Sequence, residues 1–133
     1  MTNMEKLNDF LGDPALFFLS TVDGDTPRCR PLGLHFLFND KIYFGIGDFK
    51  EVYRQLQANP KTEIVSCKGM TWIRFNGKAV FEDDNSEVVA KIYENFMLRS
   101  LYEKNGWRLK IFHLEDAEVQ YIDMMTVKES YHI

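Results

Sequence analysis

The sequence of 133 residues is 45% hydrophobic and 14% aromatic, with eleven Phe and six Tyr, which suffices for one domain with a real core and excludes a disordered chain. Twenty acidic against sixteen basic residues leave a net charge of −4, which argues against the broad basic face of a nucleic-acid binder. No apolar run approaches the ~20 residues of a membrane helix. The first residues also lack a basic-then-apolar signal pattern. Cys29 and Cys67 stand far apart, with no CxxC and no histidine at ligand spacing, so neither a disulfide framework nor a zinc site is expected. The expected compartment is a reducing cytoplasm.

Asn3 to Leu11 reads as a short helix with Met4, Leu7, Phe10 and Leu11 on one side, ended by Gly12-Asp13-Pro14. Ala15 to Val22 is a dense apolar run, and Asp23-Gly24-Asp25 is a hairpin signal. The next strand is expected to run from Thr26 to Phe38. Pro31 removes a ladder donor there and marks a sheet edge or a bulge. Asn39-Asp40 turns the chain into Lys41 to Ile46. A glycine-punctuated turn then leads into an amphipathic helix with Phe49, Val52, Tyr53 and Leu56 on one face. Asp48 and Glu51 have the spacing of a capping box, and Pro60 stops the helix.

Lys61 to Cys67 alternates as a strand, and Lys68-Gly69 turns the chain again. Met70 to Phe81 is a second long strand. Without a bulge it places Trp72, Arg74, Asn76 and Lys78 on one face and Ile73, Phe75, Gly77 and Ala79 on the other. Asp83 to Ser86 caps a helix whose Val88, Val89, Ile92, Tyr93 and Phe96 form an apolar stripe. Leu98 to Gly106 takes no assignment. Two final strands are expected over Leu109 to Leu114 and Ala117 to Met124, with the tail from Thr126 to Ile133 frayed or docked on a partner. Most connections are hairpins, so the fold class is mainly β (α+β). The expected architecture is one domain over 1–133, an antiparallel barrel of about seven strands with two or three flanking helices.

Hydrolase chemistry is not expected: Gly-x-Ser-x-Gly is absent, as are Gly-x-Gly-x-x-Gly and a Walker motif. His35 and His113 lie among apolar strand residues and read as satisfied core or edge histidines. What remains is a set of cations and aromatics on neighbouring elements: Arg28 and Arg30 on one strand, Lys50 at a helix start, and Trp72, Arg74 and Lys78 on another strand. Arg offers a planar fork for phosphate, Lys a point charge, and a helix N-terminus favours an anion. With apolar walls, such a set suits a flat ring carrying a phosphate tail. The same residues also read as a capped strand-to-helix junction and an ordinary charged surface.

Phe18 to Gly33, with Thr26-Pro27-Arg28-Cys29-Arg30-Pro31-Leu32 at its centre, resembles the opening of the pyridoxamine 5′-phosphate oxidase-like split-barrel flavoproteins. Ile42-Tyr43-Phe44 with Gly47 to Pro60, Trp72 to Phe81 and Leu114 to Glu118 continue the resemblance in the same order. It implies a split barrel, a homodimer, and FMN in clefts at the subunit interface. By position, Arg30 is implied to hold the FMN phosphate, with Pro31 and Leu32 backing the isoalloxazine and Lys50 as the second phosphate ligand. Gly47, in the turn before Lys50, belongs to the same implied set. Trp72, where oxidase members tend to have glutamine, is implied to approach the ring or ribityl chain; Arg28 and Arg74 are further implied ligands.

The sequence ends at Ile133, without the Arg- and Trp-bearing extension with which the oxidases bind pyridoxamine phosphate, so vitamin B6 oxidation is not expected. The expected function is an FMN-dependent oxidoreductase passing electrons from a nicotinamide or protein donor to a small acceptor. Its expected partners are a second copy of itself and a redox partner, with no nucleic acid and no membrane. The alternative is a non-catalytic flavin or haem carrier on the same barrel, with haem held through His35 or His113. Some relatives of this family bind a deazaflavin instead.

Overall fold

The computed structural model describes residues 1–12 and 16–133, so the expected helix stop at Asp13-Pro14 and Ala15 of the apolar run lie outside the described residues. Eight strands and four short helices follow in the order α1 (Asn3–Leu11), β1 (Phe17–Asp23), β2 (Thr26–Leu32), β3 (His35–Phe38), β4 (Lys41–Gly47), α2 (Glu51–Ala58), β5 (Lys61–Lys68), β6 (Thr71–Phe81), α3 (Glu87–Glu94), α4 (Arg99–Asn105), β7 (Leu109–Asp123) and β8 (Thr126–His132). The strands form one sheet in the order β2-β1-β5-β6-β7-β4-β3, with β8 added on β7. Each pairing is antiparallel.

The two ends of that order, β2 and β3, are consecutive in the chain and are not bonded to each other. Only Gly33 and Leu34 separate them. This is a barrel left open at one seam, the split barrel that the sequence resembles. The expected single strand from Thr26 to Phe38 is therefore two strands. Pro31 deprives β2 of a ladder donor, and the chain must leave β1 to join β4, so it breaks at the Gly33-Leu34 corner. Leu34 is then fixed by its carbonyl, which accepts from Gly45 N–H at 3.4 Å.

Two apolar clusters sandwich β4 and β7. On the barrel side, Phe17, Phe44, Phe75 and Phe112 are buried. Ring centroids lie 5.5 Å apart for Phe17–Phe44 and for Phe44–Phe112, and 6.2 Å for Phe44–Phe75. Each such ring contributes about 1.5–3 kcal/mol by leaving water. Leu7 and Leu11 of α1, and Val52 and Leu56 of α2, close this cluster. On the opposite side Tyr43, Leu109 and Ile111 pack under Val88 and Ile92 of α3, Phe96, and Tyr102 of α4. Burial on both faces explains why Ile42 to Gly47 is continuously buried instead of alternating.

Several expectations need correction. The two final strands are one fifteen-residue strand, β7, bent by a register shift where Asn76 faces Glu118 but Lys78 faces Glu115. At the expected break, Glu115-Asp116, the extra residue is accommodated as a bulge within the strand, with Asp116 at a left-handed φ of 48°. The tail from Thr126 is not frayed; it returns as β8 along the second half of β7. The unassigned Leu98–Gly106 stretch is α4, ended by Gly106 at φ 70°. At α2 no capping box forms: Lys50 is the N-cap without a side-chain bond. Asp48 is drawn away by β7, accepting from Arg108 N–H at 3.0 Å while its own N–H donates to Arg108 O at 2.9 Å. Phe49 consequently sits in the turn, off the helix face, and Gln55 joins Val52 and Leu56 on the buried side. The capping box is instead at α1, between Thr2 and Glu5.

Candidate functional site

The open seam forms an apolar groove of about 530 Å³, walled by Pro31 to Leu34 at the corner and floored by Gly45, Ile46 and Leu109. The Asn95–Leu98 segment and Tyr102 close its far side, and Lys50 stands at its edge. Three residues implied by the resemblance, Pro31, Leu32 and Lys50, thus meet around one space. Among the described residues the outer edge of β2 has no partner strand at the seam, so its backbone groups stay available to a ligand.

Arg30 sits one residue before Pro31 and turns to the opposite face of β2, the face it shares with Leu19 of β1. Its Nη1 donates to Thr21 Oγ1 at 2.7 Å and to Leu19 O at 3.2 Å, and its Nη2 donates to Gln55 Oε1 at 2.6 Å. Thr21 and Gln55 are buried and bonded to each other at 2.5 Å. All three acceptors are neutral. Desolvation lowers the Arg30 pKa below its ordinary value, with the charge of Arg28 adding to the effect. A guanidinium keeps its proton even so. Neither Arg30 nor Lys50 has an ion pair among the described residues. Lys50 only approaches the Phe49 ring, at 6.0 Å. Both cations are fixed to α2, one as its N-cap and the other through Gln55. A lysine capping a helix N-terminus, with an arginine on β2 bonded to the same helix and neither ion-paired among the described residues, is an arrangement that suits a phosphate.

Gly47 is close-packed. A Cβ there would stand 2.4 Å from the Phe49 ring and 2.8 Å from the Tyr102 hydroxyl, so it holds the turn tight beneath Lys50. Arg28 points the same way as Arg30 but pairs with Asp23 at 3.7 Å, towards the β1–β2 hairpin. Trp72 and Arg74 are not in the groove. They lie on the outer face of β6, where the Arg74 guanidinium covers the Trp72 ring at 5.1 Å and Arg74 pairs with Glu63 at 3.3 Å. Phe18 and Val65 share that outer face in cross-strand register.

Sequence reasoning missed Thr21, Gln55, Phe96 to Leu98, and Tyr102. Gln55 carried a signal, as a polar residue three positions after Val52 on the apolar side of α2. Tyr102 and the Asn95–Leu98 wall belong to the stretch that had no clear period. Burial raises the Tyr102 phenol above its ordinary value, with the Asp48 charge adding to the effect. His35 is engaged on both nitrogens, by Asn8 Oδ1 and Gly12 O at 2.7 Å each. His113 lies between Glu82, 2.8 Å from Nδ1, and Glu115, 2.7 Å from Nε2. Both are therefore held by local partners. Among the described residues no three His, Cys, Asp or Glu side chains gather to hold a metal, and no helix is long and apolar enough to cross a membrane.

An antiparallel barrel left open at one seam, with an apolar groove along it and Lys50 at the groove's edge, defines the split-barrel class. The chain belongs to the family described as pyridoxamine 5′-phosphate oxidase, whose model matches residues 4–122. Among solved structures, a NimC/NimA family protein from Clostridium acetobutylicum is 28% identical, with a TM-score of 0.83 over 100% of this chain and 95% of that one. General stress protein 26 from Bacillus anthracis is 19% identical, with a TM-score of 0.70 over 100% of both chains, and so shares the fold. A haem-binding protein from Mycobacterium smegmatis shares it too, at 11% identity and a TM-score of 0.68 over 99% of this chain and 58% of that one. No curated protein sequence gave a significant match.

Proposed function

We propose that this chain is an FMN-binding flavoprotein, a homodimer acting as an oxidoreductase between a nicotinamide or protein donor and a small acceptor. The observation that carries the reading is the pair Arg30 and Lys50, two cations without acidic partners among the described residues, Lys50 capping α2 at the groove's edge and Arg30 bonded to Gln55 of the same helix. The residues fit the cofactor: Arg30 and Lys50 would hold the phosphate, Pro31 and Leu32 would back the ring, and the free edge of β2 would meet its polar rim. Bound FMN supplies reversible electron transfer. The chain's part is to bind it, to keep water from the ring with Leu34, Phe36 and Phe96, and to hold a protonated phenol at Tyr102.

A homodimer would cover the outer sheet face that carries Phe18, Trp72 and Arg74, which is where those two implied ligands stand. Purification tests the reading: the protein should retain or take up FMN, and bound flavin should bleach anaerobically on adding NADH or NADPH. Protein that stays colourless with added FMN contradicts it. A non-catalytic carrier is the second reading. It is favoured by one feature, that among the described residues Lys50 and Tyr102 are the only ionisable side chains lining the groove. Flavin that binds but bleaches with no donor would select the carrier.

A further inference from the structure

The Arg30 guanidinium carries its N–H donors in a planar fork, and one edge of that fork is taken inside the chain. Nη1 donates to Thr21 Oγ1 and to Leu19 O, and Nη2 donates to Gln55 Oε1. The two side-chain oxygens are themselves bonded at 2.5 Å, so they form one clamp matched to the end-on edge of the guanidinium. Among the described residues the remaining donors, Nε–H and the second N–H of Nη2, take no partner. Those two lie side by side along the other edge of the same plane, an edge that can grip two oxygens of a phosphate at once. The Nε is not a buried atom left without a partner, so this edge is open to solvent.

Thr21 and Gln55 are each 3% exposed within the single chain, so a second copy docked on its surface does not reach them. The clamp is also neutral. A carboxylate in place of Gln55 would hold the arginine too, but it would offset the charge that attracts a phosphate. Gln55 belongs to α2, the helix capped by Lys50, so one element sets where both cations stand.

We propose that Thr21 and Gln55 are positioning residues for the flavin phosphate, clamping one edge of Arg30 so that its Nε–Nη2 edge is preset as a bidentate fork. The inference rests on the flavin reading, and neither residue touches the cofactor. A preset fork gives up little rotamer freedom on binding, and that saving raises affinity for the phosphate alone.

The ratio of the riboflavin to the FMN dissociation constant isolates the phosphate, because the two flavins differ only there. Fluorescence titration of the parent should give a ratio of about a hundred or more. Gln55→Leu should lower it about ten-fold by weakening FMN alone, and Gln55→Glu at least as much by charge cancellation. Thr21→Val should lower it about five-fold, whereas Thr21→Ser, which keeps the hydroxyl, should stay within about two-fold of the parent. Added to Arg30→Ala, Gln55→Leu should change the ratio no further, since its effect passes through that arginine. The Thr21 pair carries the test should a Gln55 variant fail to fold. Three results overturn the inference and leave the flavin reading standing: an unchanged ratio in Gln55→Leu and Thr21→Val, equal weakening of both flavins, or a Gln55→Leu effect that persists beside Arg30→Ala. A parent that binds neither flavin overturns the flavin reading and this inference with it.

Discussion

At the scale of single residues, function and stability part company at the arginines. Arg30 bonds only neutral acceptors, whereas Arg28 and Arg54 both spend their charge on Asp23. Charge-assisted bonds contribute about 1.5–3 kcal/mol each, so Arg30→Ala should weaken FMN binding by roughly 10- to 150-fold, and Lys50→Ala comparably. Arg28→Ala should change it by less than about three-fold, because an exposed pair contributes at most ~1 kcal/mol. Fluorescence titration of the three variants decides between these roles. Tyr121 supports a pH prediction. Its hydroxyl is buried without an aligned partner, and burial raises its pKa, with Tyr131 as a further cause. The unfolded phenol ionises near its ordinary value of 10.0 while the folded one keeps its proton longer. The folded state thus binds more protons above pH 10, and stability is full below pH 10 and falls as pH rises past it. Denaturant midpoints from pH 8 to 11 should show a shallower alkaline loss for Tyr121→Phe. The stability of that variant at pH 7 should stay within about 1 kcal/mol of the parent.

At the scale of elements, the bulge in β7 has a partner in Gly77. A Cβ at Gly77 would stand 2.8 Å from Glu115 O and 2.8 Å from the Ala117 Cβ, so the bulge fills the space a side chain would need. Gly77→Ala should cost about 1–3 kcal/mol in a denaturant titration, against under about 0.5 kcal/mol for an exposed change such as Lys104→Ala. The same region shows what could be read from the residues. Strands β1, β4, β5 and β6 were legible because Val, Ile and Phe recur between turn residues, and Asn39-Asp40 does turn with positive φ at both positions. The end of α2 was legible from Asn59-Pro60. The break in β2–β3 was not, since His35 to Phe38 continues an apolar run and only tertiary pairing decides that it joins β4. β8 was hidden for a similar reason: Thr126 to His132 alternates weakly, and its place comes from pairing with β7. At α2 the capping-box spacing misled, because Arg108 competes for Asp48 through a contact sixty residues away.

At the scale of the whole molecule, the candidate site follows from topology. Joining the two end strands by a two-residue corner leaves a seam, and the seam carries the groove. Pro31, Leu32 and Lys50, named from the family resemblance, line that groove, whereas Arg30 turns to the other face of β2 and bonds Thr21 and Gln55. Tyr102 and the Phe96–Leu98 wall could not be named, since they arrive from helices with no distinctive period. The outer face with Phe18 at 43% exposure and Trp72 belongs to the proposed dimer. Sedimentation equilibrium should give twice the chain mass of 15.6 kDa, and Phe18→Glu should return it to the monomer mass without loss of β-sheet circular dichroism. A parent protein that sediments as a monomer at tens of micromolar contradicts that assembly.

The most direct measurement is the affinity of the purified protein for FMN, read from flavin fluorescence, alongside the double variant Arg30→Ala/Lys50→Ala. Saturable binding by the parent, weakened at least a hundred-fold in a folded double variant, is the predicted result. No binding by the parent, or equal binding by both, would contradict the claim that these two cations hold a phosphate beside the seam.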